Sequence, residues 1–173
     1  MMMASLQEKL ATWLAVVALA LSVPSAVAQT SLTAGQIAVV EVNQNSGESV
    51  QFVTLTNLEA GTTFRLTDNG YTSSGSFNTN EGIYEFTAAA AMPAGTVFSY
   101  SSTSLTSEWA SVSGNLALAN GGDNIFLYQG TEESPNFVYG FMYGSTWDST
   151  YTTGTSSSSL PAGLTDGSSA LAL

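Results

Sequence analysis

The strongest constraint on the fold is a two-residue alternation of side-chain type between Phe52 and Tyr71. The segment FVTLT (52–56) places its Phe and Thr side chains on one face, and in FRLT (64–67) Phe64 and Leu66 repeat the pattern. Such an alternation, rich in β-branched and aromatic residues and bounded by Gly and Asn, predicts two strands.

Short segments of the same kind recur along the chain, and none shows the extended amphipathic period of a helix. The candidate strands are residues 36–42, 50–56, 62–67, 83–87, 96–100, 124–129, 137–143 and 170–173. Roughly seven to nine short strands, with turn signals about every 8–15 residues, predict an all-β, antiparallel, immunoglobulin-like β-sandwich.

The N-terminus has the pattern of a targeting segment. The apolar run 10–23 precedes Pro24, and Ala26-Val27-Ala28 fits the small-x-small cleavage rule. The run is shorter than the ~20 residues of a comfortable membrane span. We therefore predict a signal peptide at 1–28, with an uncleaved anchor as the alternative. The rest, 29–173, is predicted to be a single domain without membrane insertion, with a Ser/Thr-rich, poorly ordered loop at about 144–159.

The predicted compartment is secreted, extracellular or periplasmic, with the thylakoid lumen as an alternative. The chain has no Cys, so export is not used to form disulfides. It also has no Asn-x-Ser/Thr acceptor, which favours a bacterial or organellar compartment over eukaryotic secretion.

The net charge of −11 restricts the possible partners. Lys9 and Arg65 are the only basic residues, so after signal cleavage Arg65 alone remains. Nucleic acids and anionic membranes bind through Lys and Arg, and neither is an expected partner.

The absence of His and Cys excludes Ser-His-Asp and Cys-His catalysis as they are usually built, and zinc sites of the structural kind. A pair of carboxylates in a cleft is the remaining route to hydrolysis. Glu41, Glu85 and Glu108 are the candidate partners, although all three also fit outward-facing strand or loop positions. The main expectation is no enzymatic activity and no cofactor, with calcium as the one possible ion.

Calcium takes oxygen ligands from Asp, Asn, Glu and backbone carbonyls. The turn at Asp68 and Asn69 with Glu81, and the segment 120–124 with Asn120 and Asp123, offer such oxygens. Turns need the same residue types for their backbone geometry, and this reading is favoured over a calcium site.

Aromatic residues supply the candidate binding surface. Tyr139, Phe141 and Tyr143 share one face of a predicted strand, whereas Trp147 and Trp109 lie in polar segments. Exposed aromatic rings bind sugar rings or protein partners. Buried, the three strand residues form the inner face of the sandwich, which is the favoured alternative for them.

The order of these segments resembles the lamin-tail domain, an immunoglobulin-like fold, over about residues 36–130. The matching segments are IAVVEVN (37–43), FVTLTN (52–57), FRLTD (64–68), MPAGTV (92–97) and LANGGDNIFL (118–127). The chain has Phe64 where the family usually has Trp, and no counterpart from Gly130 onward. The resemblance implies the fold and a binding or accessory role.

The sequence therefore predicts an exported, non-catalytic module for protein binding, for surface or polysaccharide binding, or for structural assembly. The alternatives are a secreted carboxylate-dependent hydrolase and a lumenal or periplasmic subunit of a membrane complex.

Overall fold

The computed structural model describes residues 28–173, and these contain no helix. The predicted signal peptide lies outside the described residues except for Ala28. The strands are β1 (Ile37–Asn43), β2 (Ser49–Thr54), β3 (Thr63–Thr67), β4 (Ile83–Thr87), β5 (Val97–Ser101), β6 (Trp109–Ser113), β7 (Asp123–Thr131), β8 (Ser134–Tyr143) and β9 (Ala170–Ala172).

The strands form two sheets that pack face to face. The smaller sheet has the order β1-β2-β5, and the larger sheet has the order β6-β4-β3-β7-β8-β9. The prediction of an all-β chain with two packed sheets is confirmed. Residues 28–173 accordingly include no helix long and apolar enough to cross a membrane.

One strand departs from the predicted antiparallel order. β9 pairs with β8 in parallel, with Gly140 opposite Ala170 and Met142 opposite Ala172, whereas every other strand pair is antiparallel. Parallel neighbours need a long connection, because a hairpin can join only antiparallel strands. Residues 144–169 are that connection.

The alternation identified in the sequence decides which side chains lie between the sheets. Phe64 and Leu66 are fully buried there, while Arg65 points to the opposite face of the larger sheet. Aromatic rings from both sheets meet in this core: Phe98 of the smaller sheet lies 4.9 Å from Phe86 and 5.9 Å from Phe64 of the larger sheet, as measured between ring centroids. Burial of these rings is the main contribution to packing of the two sheets.

The sequence did not predict β6, because its segment WASVS lies among Ser and Gly residues. Trp109 at its start packs edge-on against Phe64, Phe86 and Tyr100. The apolar segment 116–118 is irregular instead, although Leu116 and Leu118 are buried.

The outer face of the larger sheet is covered by two segments without long strands, residues 70–80 and 144–169, which we call the outer cover. Phe126, Tyr128 and Phe137 lie beneath it. The two segments are joined where Tyr71 N donates to Ser158 Oγ at 2.8 Å and Ser159 N donates to the Tyr71 carbonyl at 2.8 Å. The predicted Ser/Thr-rich loop at about 144–159 contains no strand, and hydrogen bonds at Ser158 and Ser159 join its end to Tyr71. Its degree of order stays a prediction.

Candidate functional site

The outer cover forms a cleft of about 360 Å³ that is lined by two aromatic side chains and several hydroxyl groups. Tyr71 and Trp147 are the aromatic residues, and both are half-buried. The remaining lining residues are Thr72, Ser73, Gly75, Ser149, Ser159, Leu160 and Ala162. The cleft therefore combines apolar ring surface with neutral hydrogen-bonding groups.

The indole of Trp147 is fixed from two sides. Its ring lies 5.9 Å from that of Phe126, and its Nε1 donates to Asp166 Oδ1 at 3.1 Å. Gly140 on β8 allows the ring to come close, because a Cβ there would lie 3.3 Å from the indole. A ring held in this way is preorganised for binding a ligand.

The phenol ring of Tyr71 is held by edge-to-face contacts with Phe77 and Phe137, at centroid distances of 5.2 and 5.0 Å. Its backbone is fixed by the bonds to Ser158 and Ser159 that join the cover. The neighbouring Thr72 hydroxyl donates to the Ser76 carbonyl at 2.9 Å, which closes the 72–76 turn.

Four of the five aromatic residues that the sequence proposed for binding lie elsewhere. Trp109, Tyr139 and Phe141 are buried in the inner core, and Phe141 also lines a cleft of about 410 Å³ beside β1. Tyr143 packs against that core, and its hydroxyl donates to the Ala119 carbonyl at 2.8 Å. Trp147 alone lines the Tyr71–Trp147 cleft.

A second group of polar residues lies at the end of the larger sheet where β3 ends and β7 begins. Asp68 is fully buried, and its two carboxylate oxygens accept hydrogen bonds from Gly82 N at 2.8 Å and Ala117 N at 2.7 Å. Burial raises the pKa of Asp68 to about 6, although these two N–H groups lower it.

Asp123 makes a similar arrangement on the neighbouring strand. Its oxygens accept from Ala119 N at 2.9 Å and Asn124 N at 2.8 Å. Burial raises the pKa of Asp123 to about 7, and the charges of Asp68 and Glu48 add to the increase. The two aspartates thus fix the irregular segment 114–119 against the strand ends.

Glu81, which precedes β4, lies close enough to Asp68 and Asp123 for their charges to affect its pKa. Burial, followed by the charges of Asp68 and Asp123, raises the pKa of Glu81 to about 8. Glu81 also lines a cleft of about 470 Å³ together with Phe77, Asn78 and Glu133. Its Oε2 atom is buried and has no hydrogen-bond partner.

The predicted calcium ligands are only partly brought together. Asp68, Asn69, Glu81 and Asp123 lie at this one end, whereas the side chain of Asn120 is exposed in a turn. Within residues 28–173, no three Asp, Glu, His or Cys side chains are grouped so that they could hold one metal ion. A site built from carboxylates alone is therefore not formed there.

The carboxylates proposed for hydrolysis do not converge on one cleft. Glu41 lies on β1 of the smaller sheet, and Glu108 is partly exposed just before β6. Glu85 on β4 accepts from Arg65 Nε at 3.1 Å, in an ion-pair network that also joins Arg65 to Glu132 at 2.7 Å.

Comparison of the chain with family models, with curated proteins and with solved structures finds no match. The resemblance to the lamin-tail domain accordingly stays a prediction.

The sequence analysis did not identify Tyr71 as part of a binding cleft or Asn124 as a buried residue with a free acceptor. Tyr71 carried one usable signal, since it precedes a polar segment without periodicity that also contains Phe77. Asn124 was noted only as part of the oxygen-bearing segment 120–124, and its burial could not be predicted because it depends on the pairing of β7 with β3.

Proposed function

We propose that the protein is an exported, non-catalytic β-sandwich module that binds a neutral polysaccharide in the Tyr71–Trp147 cleft. The observation that carries the proposal is the combination in one cleft of two fixed aromatic rings and a lining of Ser and Thr hydroxyls. The signal-peptide pattern of 1–28 supports export. The order of sequence motifs and the two-sheet architecture support an immunoglobulin-like, lamin-tail-like fold.

The chemistry of the cleft matches that of a sugar ring. The C–H face of a sugar packs on an aromatic ring, and its hydroxyl groups exchange hydrogen bonds with neutral hydroxyls, which both donate and accept. Trp147 and Tyr71 supply the ring surface. Ser73 and Ser149, which are both exposed, supply hydroxyls at the edge of the same cleft.

The net charge of the protein restricts the class of polysaccharide that it can bind. With a net charge of −11, the chain repels anionic chains such as uronates. Arg65 is the only basic residue among those described, and its guanidinium is bonded to Glu85 and Glu132. No cation therefore faces the cleft from the described residues, and a neutral glycan is the class that fits.

The proposal is tested by co-sedimentation of the purified protein with insoluble neutral polysaccharides, such as cellulose and β-glucan, and by affinity electrophoresis in soluble neutral and anionic ones. We expect retention by a neutral polymer and none by an anionic polymer. Trp147→Ala should weaken binding about five- to tenfold, because one aromatic contact contributes ~1 kcal/mol.

The matched control is Val97→Ala, which removes an exposed apolar side chain from the smaller sheet, far from the cleft. It should bind like the wild type. The proposal is overturned if the wild type binds no neutral polysaccharide, if Trp147→Ala with an unchanged melting temperature binds as tightly as the wild type, or if only a protein partner is retained.

A further inference from the structure

The six-membered ring and the N–H group of the Trp147 indole are held by different parts of the fold. The six-membered ring lies against β8, where a Cβ on Gly140 would come within 3.3 Å of Trp147 Cη2. The Nε1 atom donates to Asp166 Oδ1 at 3.1 Å, and within residues 28–173 it has no second acceptor. Asp166 therefore holds the edge of the indole that carries the N–H group.

The turn that carries Asp166 is bonded to the C-terminal strand β9. Ala170, the first residue of β9, is fully buried, and its N–H donates to the Thr165 carbonyl at 3.0 Å. The Ala170 carbonyl accepts from Gly167 N at 2.8 Å, so bonds to Ala170 lie on both sides of Asp166 in the sequence. The Thr165 N–H also donates to Ser169 Oγ at 2.9 Å. The side chain of Asp166 is thus exposed, while its backbone belongs to a hydrogen-bonded turn.

Strand β9 connects this turn to the strand that supports Trp147. Ala170 lies opposite Gly140 in the parallel pairing of β8 with β9. Leu164, which precedes the turn, is buried, and its Cδ1 atom would lie 3.0 Å from a Cβ on Gly140. The segment that carries Asp166 and the ring of Trp147 therefore contact the same position of the larger sheet, and the sheet fixes one relative to the other.

The carboxylate of Asp166 is oriented by its own turn. Oδ1, the atom that accepts the indole N–H, also accepts from Gly167 N at 3.1 Å. An asparagine side chain at this position can make both bonds, because its carbonyl oxygen is also an acceptor, whereas alanine can make neither. Substitution by Asn and by Ala therefore separates the acceptor atom from the negative charge.

We infer that Asp166 is the positioning residue of the Tyr71–Trp147 cleft, and that it holds the indole of Trp147 in the orientation that receives a sugar ring. The inference rests on the proposed function, since it assigns a role within that site. Asp166 is not among the residues that line the cleft, so it acts on the ligand through Trp147. A ring that is already fixed loses less freedom on binding, and this preorganisation increases affinity.

The first test is affinity electrophoresis in a soluble neutral β-glucan, with migration in a gel without polysaccharide as the reference for each variant. Asp166→Ala should weaken binding about three- to fivefold, which is less than the loss expected for Trp147→Ala. Its melting temperature should change by less than about 2 °C, because the side chain is exposed and water can replace its bond to the indole. Asp166→Asn should bind like the wild type.

A double-mutant cycle tests whether Asp166 acts through Trp147. The variant that combines Asp166→Ala with Trp147→Ala should bind as weakly as Trp147→Ala alone, since without the indole Asp166 has nothing to position. An additive loss would overturn the inference, because Asp166 would then affect the ligand independently. Equal affinity of Asp166→Ala and the wild type would also overturn it. An equal loss in Asp166→Asn and Asp166→Ala would do the same, because the charge would then be responsible.

The N–H signal of the indole tests the positioning without any ligand. In a nitrogen–proton correlation spectrum, the Trp147 signal is assigned by its absence from Trp147→Ala. It should shift in Asp166→Ala and stay near its wild-type position in Asp166→Asn. The Trp109 signal is the internal control, because Trp109 Nε1 donates to the Ser99 carbonyl at 2.9 Å in the inner core.

This signal also separates failure of the inference from failure of the proposed function. A wild type that binds no neutral polysaccharide would overturn the proposed function, and the indole signal would then decide by itself whether Asp166 holds the ring. A Trp147 signal that does not move in Asp166→Ala would contradict the positioning role, whether or not the protein binds a polysaccharide.

Discussion

The two faces of the larger sheet are covered in different ways. Its inner face packs against the smaller sheet, and the contacts are made by apolar and aromatic side chains that alternate along strands. Its outer face is covered by residues 70–80 and 144–169, which have almost no regular structure and are fixed by hydrogen bonds between hydroxyls and backbone groups. The inner face carries most of the buried apolar surface, and the outer face carries the candidate binding groups.

This difference indicates a division between stability and function. Packed strands give a rigid support because rings such as Phe64 and Phe86 each contact three others. The cover can present Trp147 and Tyr71 in defined positions because the rings beneath it, Phe126 and Phe137, belong to that support. Loops placed by a rigid scaffold are the usual location of binding sites.

The largest expected effect is on the inner face. Trp109→Ala should reduce the free energy of unfolding by about 3–5 kcal/mol, because it leaves a cavity among Phe52, Phe64 and Phe86. Urea denaturation measures the change. Val112→Ala, an exposed position on the same strand, should cost less than about 1 kcal/mol. Equal effects of the two variants would contradict the proposed role of the inner core.

A pH dependence of the free energy of unfolding is expected from the buried carboxyl groups of Asp68 and Asp123. The pKa values of Asp68 and Asp123 are raised from 3.8 to about 6 and about 7, so the folded protein binds protons more tightly than the unfolded chain. Their stabilising contribution is complete below about pH 4 and is lost between about pH 4 and pH 7, as the pH rises from the unfolded pKa to the folded pKa values. At ~1.4 kcal/mol per pKa unit, the contribution of these two groups should fall by about 4 kcal/mol between pH 5 and pH 8.5.

Urea denaturation at a series of pH values tests this dependence. Glu108→Gln should leave the profile unchanged, because neither Asp68 nor Asp123 affects the pKa of that side chain. A profile that is flat, or that rises with pH, would show that the strand ends open and hydrate these groups.

The outer cover should respond to a substitution that leaves the inner core untouched. A Cβ on Gly70 would collide with the Tyr151 hydroxyl and would lie 2.6 Å from the Ser157 carbonyl oxygen. Gly70→Ala should therefore destabilise the protein by about 1–3 kcal/mol and increase proteolysis within 144–169. Gly121→Ala, where a Cβ meets nothing within 4 Å, is the control. Unchanged proteolysis would show that the cover does not depend on this contact.

The smallest expected effect is the loss of one hydroxyl from the cover. The Tyr151 hydroxyl accepts from Asn78 Nδ2 at 2.6 Å and donates to the Gly154 carbonyl at 2.8 Å. Tyr151→Phe should reduce stability by about 1 kcal/mol, measured by thermal denaturation. Thr152→Val, at an exposed position, should change it less; the reverse order would contradict the role given to this hydroxyl.

The inner face could be predicted from the sequence, and most of the outer face could not. Phe64, Leu66 and Tyr139 follow the two-residue period of a strand. This period indicates which face of the strand is buried, even when the neighbouring strands are unknown. Trp147 was identified only as an aromatic residue in a polar segment. Its position on Phe126 depends on the path of residues 144–169, for which no local pattern exists.

The same distinction applies to the end of the larger sheet where β3 ends and β7 begins. Asp68, Asn69, Glu81 and Asp123 were recognised as oxygen-bearing groups on turns, and they do lie near one another. The pairing of three strand ends decides which of these oxygens accept backbone N–H groups and which have no donor. Asn120 and Asn124 are four residues apart with equal side chains, yet one is exposed and the other fully buried.

The sequence by itself determined that the described chain is all-β with two packed sheets, and which side chains fill the space between them. The physical reason is that strand periodicity and turn formation depend on residues only a few positions apart in the sequence. The tertiary structure alone decided the parallel position of β9, the Tyr71–Trp147 cleft and the two unpaired acceptors. Each depends on contacts between distant segments, as in the bond between Tyr71 and Ser158, which are 87 residues apart.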